Sequence, residues 1–132
     1  MRGSVIRRFV ILGAPRTKNT GKVVMRGRVL VVPSAAYRRW YKSALAQAPI
    51  LLAQAGIRTP IAVPVDVTAI FYRDRRTGDE DRYKNALGDY LQRARFIEND
   101  VLIHWTGETR RALDPARPRI EVTIEEAACR GG

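Results

Sequence analysis

The chain has 132 residues, with 24 Lys and Arg against 13 Asp and Glu, a net charge of +11 and a single cysteine. That length suits one domain, residues 1–132, able to bury its own core without a metal or disulfide staple. Cys129 has no partner for an intramolecular disulfide and fits a reducing cytosol, and no stretch reaches the roughly 20 apolar residues of a membrane span, so we expect a cytoplasmic protein with no membrane partner.

The charge is segregated. From Met1 to Val65 there are twelve basic residues and no Asp or Glu, whereas from Asp66 onward twelve basic residues face thirteen acidic ones. Solubility alone does not require such segregation, and a polyanion, nucleic acid first, is the natural partner of the basic half.

Along the chain, Ser4 to Leu12 reads as a strand, with Phe9 and Ile11 on one face and Val10 and Leu12 on the other. Arg7 and Arg8 interrupt the apolar run, so the start is read as a strand rather than a signal peptide. The loop from Gly13 to Gly21 carries Arg16, Lys18 and Asn19 among turn formers, a content able to follow a phosphate backbone. Two β-branched runs then flank Arg26-Gly27-Arg28, predicting a hairpin with a basic tip, which is either an ordinary solvated turn or a DNA contact. Ser34 is the expected N-cap of a helix whose Tyr37, Trp40, Tyr41, Ala44, Leu45 and Ala48 recur at core-facing spacing, leaving Arg38, Arg39 and Lys42 outward. Pro49 predicts a kink or a break, and Gly56 the end. Val65 to Tyr72 reads as a strand, followed by Arg73, Arg75 and Arg76, which are candidates for phosphate contacts or for pairing with Asp74 and Glu80.

A helix is expected to begin near Asp79 to Asp81, with Tyr83, Leu87, Tyr90, Leu91 and Ala94 on its apolar face. Asp81, Asn85 and Asp89 fall at i, i+4 and i+8 on a polar face, with Lys84 beside Asp81. Strands are predicted over Val101–Thr106 and Arg119–Ile124. The order of elements predicts an α+β domain, a mixed sheet with two main helices packed on one side. His104, the lone histidine, lies within an apolar strand, where a structural role is the expectation.

Asp79, Glu80 and Asp81 at a helix start have a plain explanation, since carboxylates there cap free N–H groups and favour the positive end of the helix dipole. They also suit a hard cation: Mg²⁺ takes oxygen ligands and keeps several waters, so two or three carboxylates suffice beside a phosphate. Asp100 follows the return from the helix, and paired flanking strands would bring it toward Asp79 and Asp81. Both readings stand on the residues alone.

Asp79-Glu80-Asp81, Asp89-Tyr90-Leu91 and Asn99-Asp100, with Pro15, Asn19, the basic hairpin, Ser34 and Tyr37 in order before them, resemble the RusA-type Holliday junction resolvases, a family found largely in prophages. The likeness spans most of the chain. Arg82 stands where the family pattern has Asn, and Asn85 where it has a lysine, with Lys84 one position earlier. The resemblance implies a RusA-like α+β fold and a homodimeric endonuclease that is Mg²⁺-dependent, with Mn²⁺ as a substitute. It would resolve four-way DNA junctions in recombination and repair, leaving 5′-phosphate and 3′-hydroxyl ends. Asp79, Asp81 and Asp100 would hold metal and orient water, Lys84 would offset transition-state charge, and Arg16, Lys18, Asn19, Arg26, Arg28, Arg73, Arg75, Arg76 and Arg82 would meet DNA. Two alternatives use the same residues: a nuclease for other branched DNA, and a non-catalytic nucleic-acid-binding module whose carboxylates are caps and salt-bridge partners. A basic protein that scaffolds another protein is a third.

Overall fold

In the computed structural model, residues 4–18, 20–76 and 78–127 are described; Asn19, Thr77 and Cys129 lie outside them. Strand β1 (Ser4–Leu12) shows the expected alternation: Phe9 and Ile11 are buried, while Val10 and Leu12 on the other face are exposed. Strands β2 (Thr20–Met25) and β3 (Arg28–Pro33) form a separate antiparallel hairpin. Its turn places Arg26 at φ 51° and Gly27 at φ 75°, the two positive values that a two-residue turn matched to strand twist requires.

Helix α1 (Ala35–Ala55) starts at Ser34, whose side chain accepts from the Tyr37 N–H, and ends at left-handed Gly56. It continues through Pro49 as one helix, so the expected break into a second helix does not occur. The ~3 kcal/mol cost of an internal proline is outweighed by packing of Ala44, Ala48, Leu51 and Ala55 on the sheet. Midway along the helix, the Gln47 carboxamide both accepts from the Leu12 N–H and donates to the Leu12 carbonyl, each at 2.8 Å.

Strand β4 (Val65–Arg73) is the centre of the sheet. It pairs antiparallel with β7 (Arg119–Ala127), which in turn pairs antiparallel with β1. On its other side β4 pairs in parallel with β5 (Ile103–Trp105) at its beginning and with β6 (Arg110–Leu113) at its end. The strand expected over Val101–Thr106 is therefore shorter, because Asp100–Leu102 form a 3-10 turn that Asn99 caps by accepting from the Val101 N–H at 3.0 Å. β6 has no alternating pattern and is held by pairing with β4. A parallel neighbour on β4 requires a crossover, and helix α2 (Glu80–Arg93) supplies it between β4 and β5.

The result is the expected small α+β domain, a mixed five-stranded sheet with two helices. Both helices contribute to one core with Phe71, Val67, Ile120 and Val122 of the sheet, and the Tyr90 hydroxyl donates to the Ala44 carbonyl at 2.7 Å to join them. Burying each such large apolar side chain contributes about 1.5–3 kcal/mol. Among the described residues no helix is long and apolar enough to cross a membrane.

Candidate active site and its basic surroundings

Helix α2 turns Tyr83, Leu87, Tyr90 and Leu91 into the core, so Asp81, Lys84, Asn85 and Gly88 share another side of the helix. The 3-10 turn and β5 close over that side. Together Asp81, Lys84, Asn85, Gly88, Asp100 and Trp105 line an open cavity of about 340 Å³, with Ile103 completing its wall. Gly88 lets the two elements approach: a Cβ placed on it would lie 3.8 Å from Asp100 Cβ and from the side chains of Ile103 and Trp105. The Asp100 N–H donates to Gln92 Oε1 at 2.9 Å, holding the backbone of the 3-10 turn against the helix.

Not every expected residue reaches this cavity. Asp79 is the N-cap of α2, accepting from the Arg82 N–H at 2.9 Å, and its other oxygen lies 3.4 Å from Arg82 Nε. Among the described residues no three acidic, histidine or cysteine side chains come together as a metal-ligand group. Asp81 and Asp100 share the cavity but sit about two helical turns apart along α2, since Asp100 packs at Gly88; seven residues span roughly 10 Å. The donors there are two carboxylates and the Asn85 carboxamide, with the Lys84 ammonium 3.2 Å from Glu80. Asp89, the third member of the i, i+4, i+8 series, points instead to Lys18 and forms an ion pair with it.

The expected DNA-contacting residues divide in the same way. Arg16 makes a two-pronged pair with Asp74, at 2.8 and 3.0 Å. Hydrogen bonding from Arg16 outweighs the opposing effect of burial and, aided by the charges of Arg16 and Arg75, holds the Asp74 carboxyl below the usual aspartate range. Arg73 reaches the Ala112 carbonyl at 3.5 Å, Lys18 pairs with Asp89, and Arg82 lies against Asp79. Arg26, Arg28, Arg75 and Arg76 are exposed and form no ion pair with a described carboxylate. Asn19 lies outside the described residues. His104 is exposed, with Nδ1 3.0 Å from Asp66 Oδ1 in the register that pairs these two residues, rather than inside the core.

Nothing in the sequence marks Trp105 as a cavity residue, and the one signal for Gly88 is its place seven positions after Asp81, on the same side of the helix. Arg111, also unanticipated, donates to the Gly78 carbonyl at 2.9 Å and ties down the loop before α2. A larger cavity of about 700 Å³ lies between β1 and α1 around Val10, Leu12 and Ile50, but its wall is mainly apolar and holds only Arg8 and Glu121 as charged groups. Neither a scan against protein-family models nor a search of curated proteins finds a match for the chain.

Proposed function

We propose that the chain is a metal-dependent DNA endonuclease of the RusA type, acting on four-way junctions or related branched DNA. The observation that carries this reading is the meeting of Asp81, Asp100, Asn85 and Lys84 in one open cavity of a protein whose first 65 residues contain no acid. Hard oxygen donors in a solvent-open cleft suit Mg²⁺, which needs few protein ligands when waters and phosphate complete its shell. A bound cation of this kind would supply Lewis-acid activation of the phosphodiester, with Mn²⁺ a substitute by its ligand preference.

Asp81 and Asp100, about two helical turns apart, would hold such a cation from the two ends of the cavity, partly through its waters, with the Asn85 carbonyl as a further oxygen; Asp79 caps the helix start. A carboxylate in this cavity orients a water and accepts its proton as the oxygen adds to phosphorus. The P–O3′ bond then breaks, and the 3′-oxygen takes up a proton. Lys84 brings an ammonium to the same wall, where it offsets negative charge developing on phosphorus oxygens. Arg26, Arg28, Arg75 and Arg76 are the exposed cations available to the DNA backbone. Two copies related by a two-fold axis would present two equivalent sites to two equivalent strands.

The pairing of Asp79 with the helix start, Glu80 with Lys84 and Asp89 with Lys18 favours a second reading, a non-catalytic nucleic-acid-binding module. Incubating a synthetic four-way junction with the protein and Mg²⁺ separates the two. The nuclease reading expects symmetric cuts that disappear in Asp81→Asn while junction binding persists. Absence of cutting by the native chain, or equal cutting by the variant, removes it.

A further inference from the structure

We propose that a second cavity, between α1 and the loop after β1, is a phosphate-binding pocket separate from the carboxylate cavity. It measures about 310 Å³ and is lined by Gly13, Arg16, Arg39, Trp40, Ser43 and Arg75, with no carboxylate in its wall. Its volume corresponds to roughly ten waters of liquid, enough for one phosphate group with solvent or the adjoining sugar.

Two observations converge on an anion. Arg39 and Arg75 are exposed and neither forms an ion pair with a described carboxylate, although the Arg75 charge acts on Asp74. Two guanidinium groups beside a third, Arg16, leave a concentration of positive charge in which Arg16 alone, among the described residues, has an ion-pair partner, Asp74, which is not part of the cavity wall. Guanidinium forks match the oxygens of phosphate in geometry and charge. Trp40, only 5% exposed, has an indole Nε1 that is buried without a hydrogen-bond partner. Native structures rarely leave such a donor unpaired. Nε1 is enclosed, with no room beside it for a ligand atom, so Trp40, whose Cδ1 a Cβ on Gly13 would meet at 4.0 Å, reports on the cavity from its wall rather than donating into it. Gly13, at φ 113°, holds a conformation that other residues rarely adopt, and its missing side chain leaves the approach to the indole clear.

Ordinary solvated arginines would account for Arg39 or Arg75 singly, but not for their convergence with Arg16 on one cavity that has no carboxylate in its wall. The ligand chemistry is a phosphate oxyanion, from either an internal phosphodiester of a strand or a terminal phosphate monoester. The inference deepens the nucleic-acid reading and rests on it for the ligand's source, but its test involves no cleavage.

The test follows the indole ¹H–¹⁵N signals of the full chain, with that of Trp40 identified by its loss in Trp40→Phe. Inorganic phosphate, dimethyl phosphate and thymidine 5′-monophosphate are titrated in turn against sodium chloride of matched ionic strength. The expected result is a saturable shift of the Trp40 signal that chloride does not reproduce. Arg39→Ala should weaken it about tenfold, the effect of losing one charge-assisted hydrogen bond. Arg95→Ala, on an exposed residue beyond α2, should leave it unchanged. Stronger binding of the diester identifies an internal backbone phosphate, and stronger binding of the monoester a strand end. No saturable shift with any probe, or equal weakening by Arg39→Ala and Arg95→Ala, overturns the proposal. A protein that shows the shift but cuts no junction loses the nuclease reading and keeps the pocket; one that cuts without the shift does the reverse.

Discussion

The cavity beside α2 brings Asp81 and Asp100 together with a single lysine, whereas the cavity beside α1 gathers three arginines and no acid. Both are made the same way, by the polar side of a helix facing a loop or turn while aromatic residues on another side, Tyr83 and Tyr90 in one and Tyr37 and Trp40 in the other, anchor the helix in a shared core. The difference lies in what the chain does with its charges before any ligand arrives. Around α2 most acids are already matched: Asp79 to the helix start, Glu80 to Lys84, Asp89 to Lys18. Around α1, Arg16 has a carboxylate and Arg39 has none among the described residues. Charge that the fold has matched is stabilising structure, and charge left open in a cavity is what a ligand can meet.

The largest effect should come from setting the two acid classes against each other. Asp81→Asn is expected to lower junction cleavage on the order of 10²-fold or more, the range for losing a group that handles charge and protons in the transition state. Asp79→Asn, which preserves a capping side chain, should lower it far less, and the Trp40 phosphate response should survive both. Equal losses of cleavage would place Asp79 with Asp81 and break the distinction between matched and open acids.

Gly88 tests the α2 cavity by volume rather than charge. Gly88→Ala should fold and gain up to about 1 kcal/mol of helix propensity, since its Cβ would make only ordinary contacts at 3.8 Å. Gly88→Phe should fill the space before Asp100 and abolish cleavage while the Trp40 response persists. Cleavage by the phenylalanine variant at the native rate would show that the chemistry lies elsewhere.

The loop between the two cavities carries Arg75 on one side and leads to Asp79 on the other. Within it Gly78 has φ 81°, and an added Cβ would approach the Tyr83 ring to 2.9 Å. Gly78→Ala should cost about 1–3 kcal/mol in denaturant unfolding and impair both cavities together. A change under about 0.3 kcal/mol would mean that the loop relaxes freely.

The smallest effect concerns Arg16 and Asp74, a partly exposed pair worth at most about 1 kcal/mol. Because the folded-state pKa of Asp74 is depressed, its stabilisation is present above the ordinary aspartate value and is lost as the pH falls through the lower one. Asp74→Asn should therefore flatten the loss of stability below about pH 4. It should also strengthen the Trp40 phosphate response by freeing Arg16; an unchanged acid profile would show that the pair contributes nothing.

The core was readable from periodicity because each element carries its own burial pattern: Phe9 and Ile11 alternate in β1, and Tyr83, Leu87, Tyr90 and Leu91 recur in α2. The four residues of β6, Arg110 to Leu113, carry no such pattern, since a partner distant in sequence makes them a strand. The same limit applies at the site. Asp79 and Asp81 are indistinguishable as a pair of acids at a helix start, and only the direction of their side chains shows that one caps the helix and the other faces the cavity. The α1 cavity was invisible for a related reason: Gly13, Trp40 and Arg75 belong to three separate segments, and each had an ordinary local explanation.

The doubled hydrogen bond between Gln47 and Leu12 has a mechanical consequence. It works as a detent, a single indexed position for α1 along the margin of the sheet, because a slide in either direction breaks both bonds at once. Leu12 is followed directly by Gly13, and Gln47 lies one helical turn beyond Ser43, so the same two bonds tie together the loop and the helix that wall the α1 cavity.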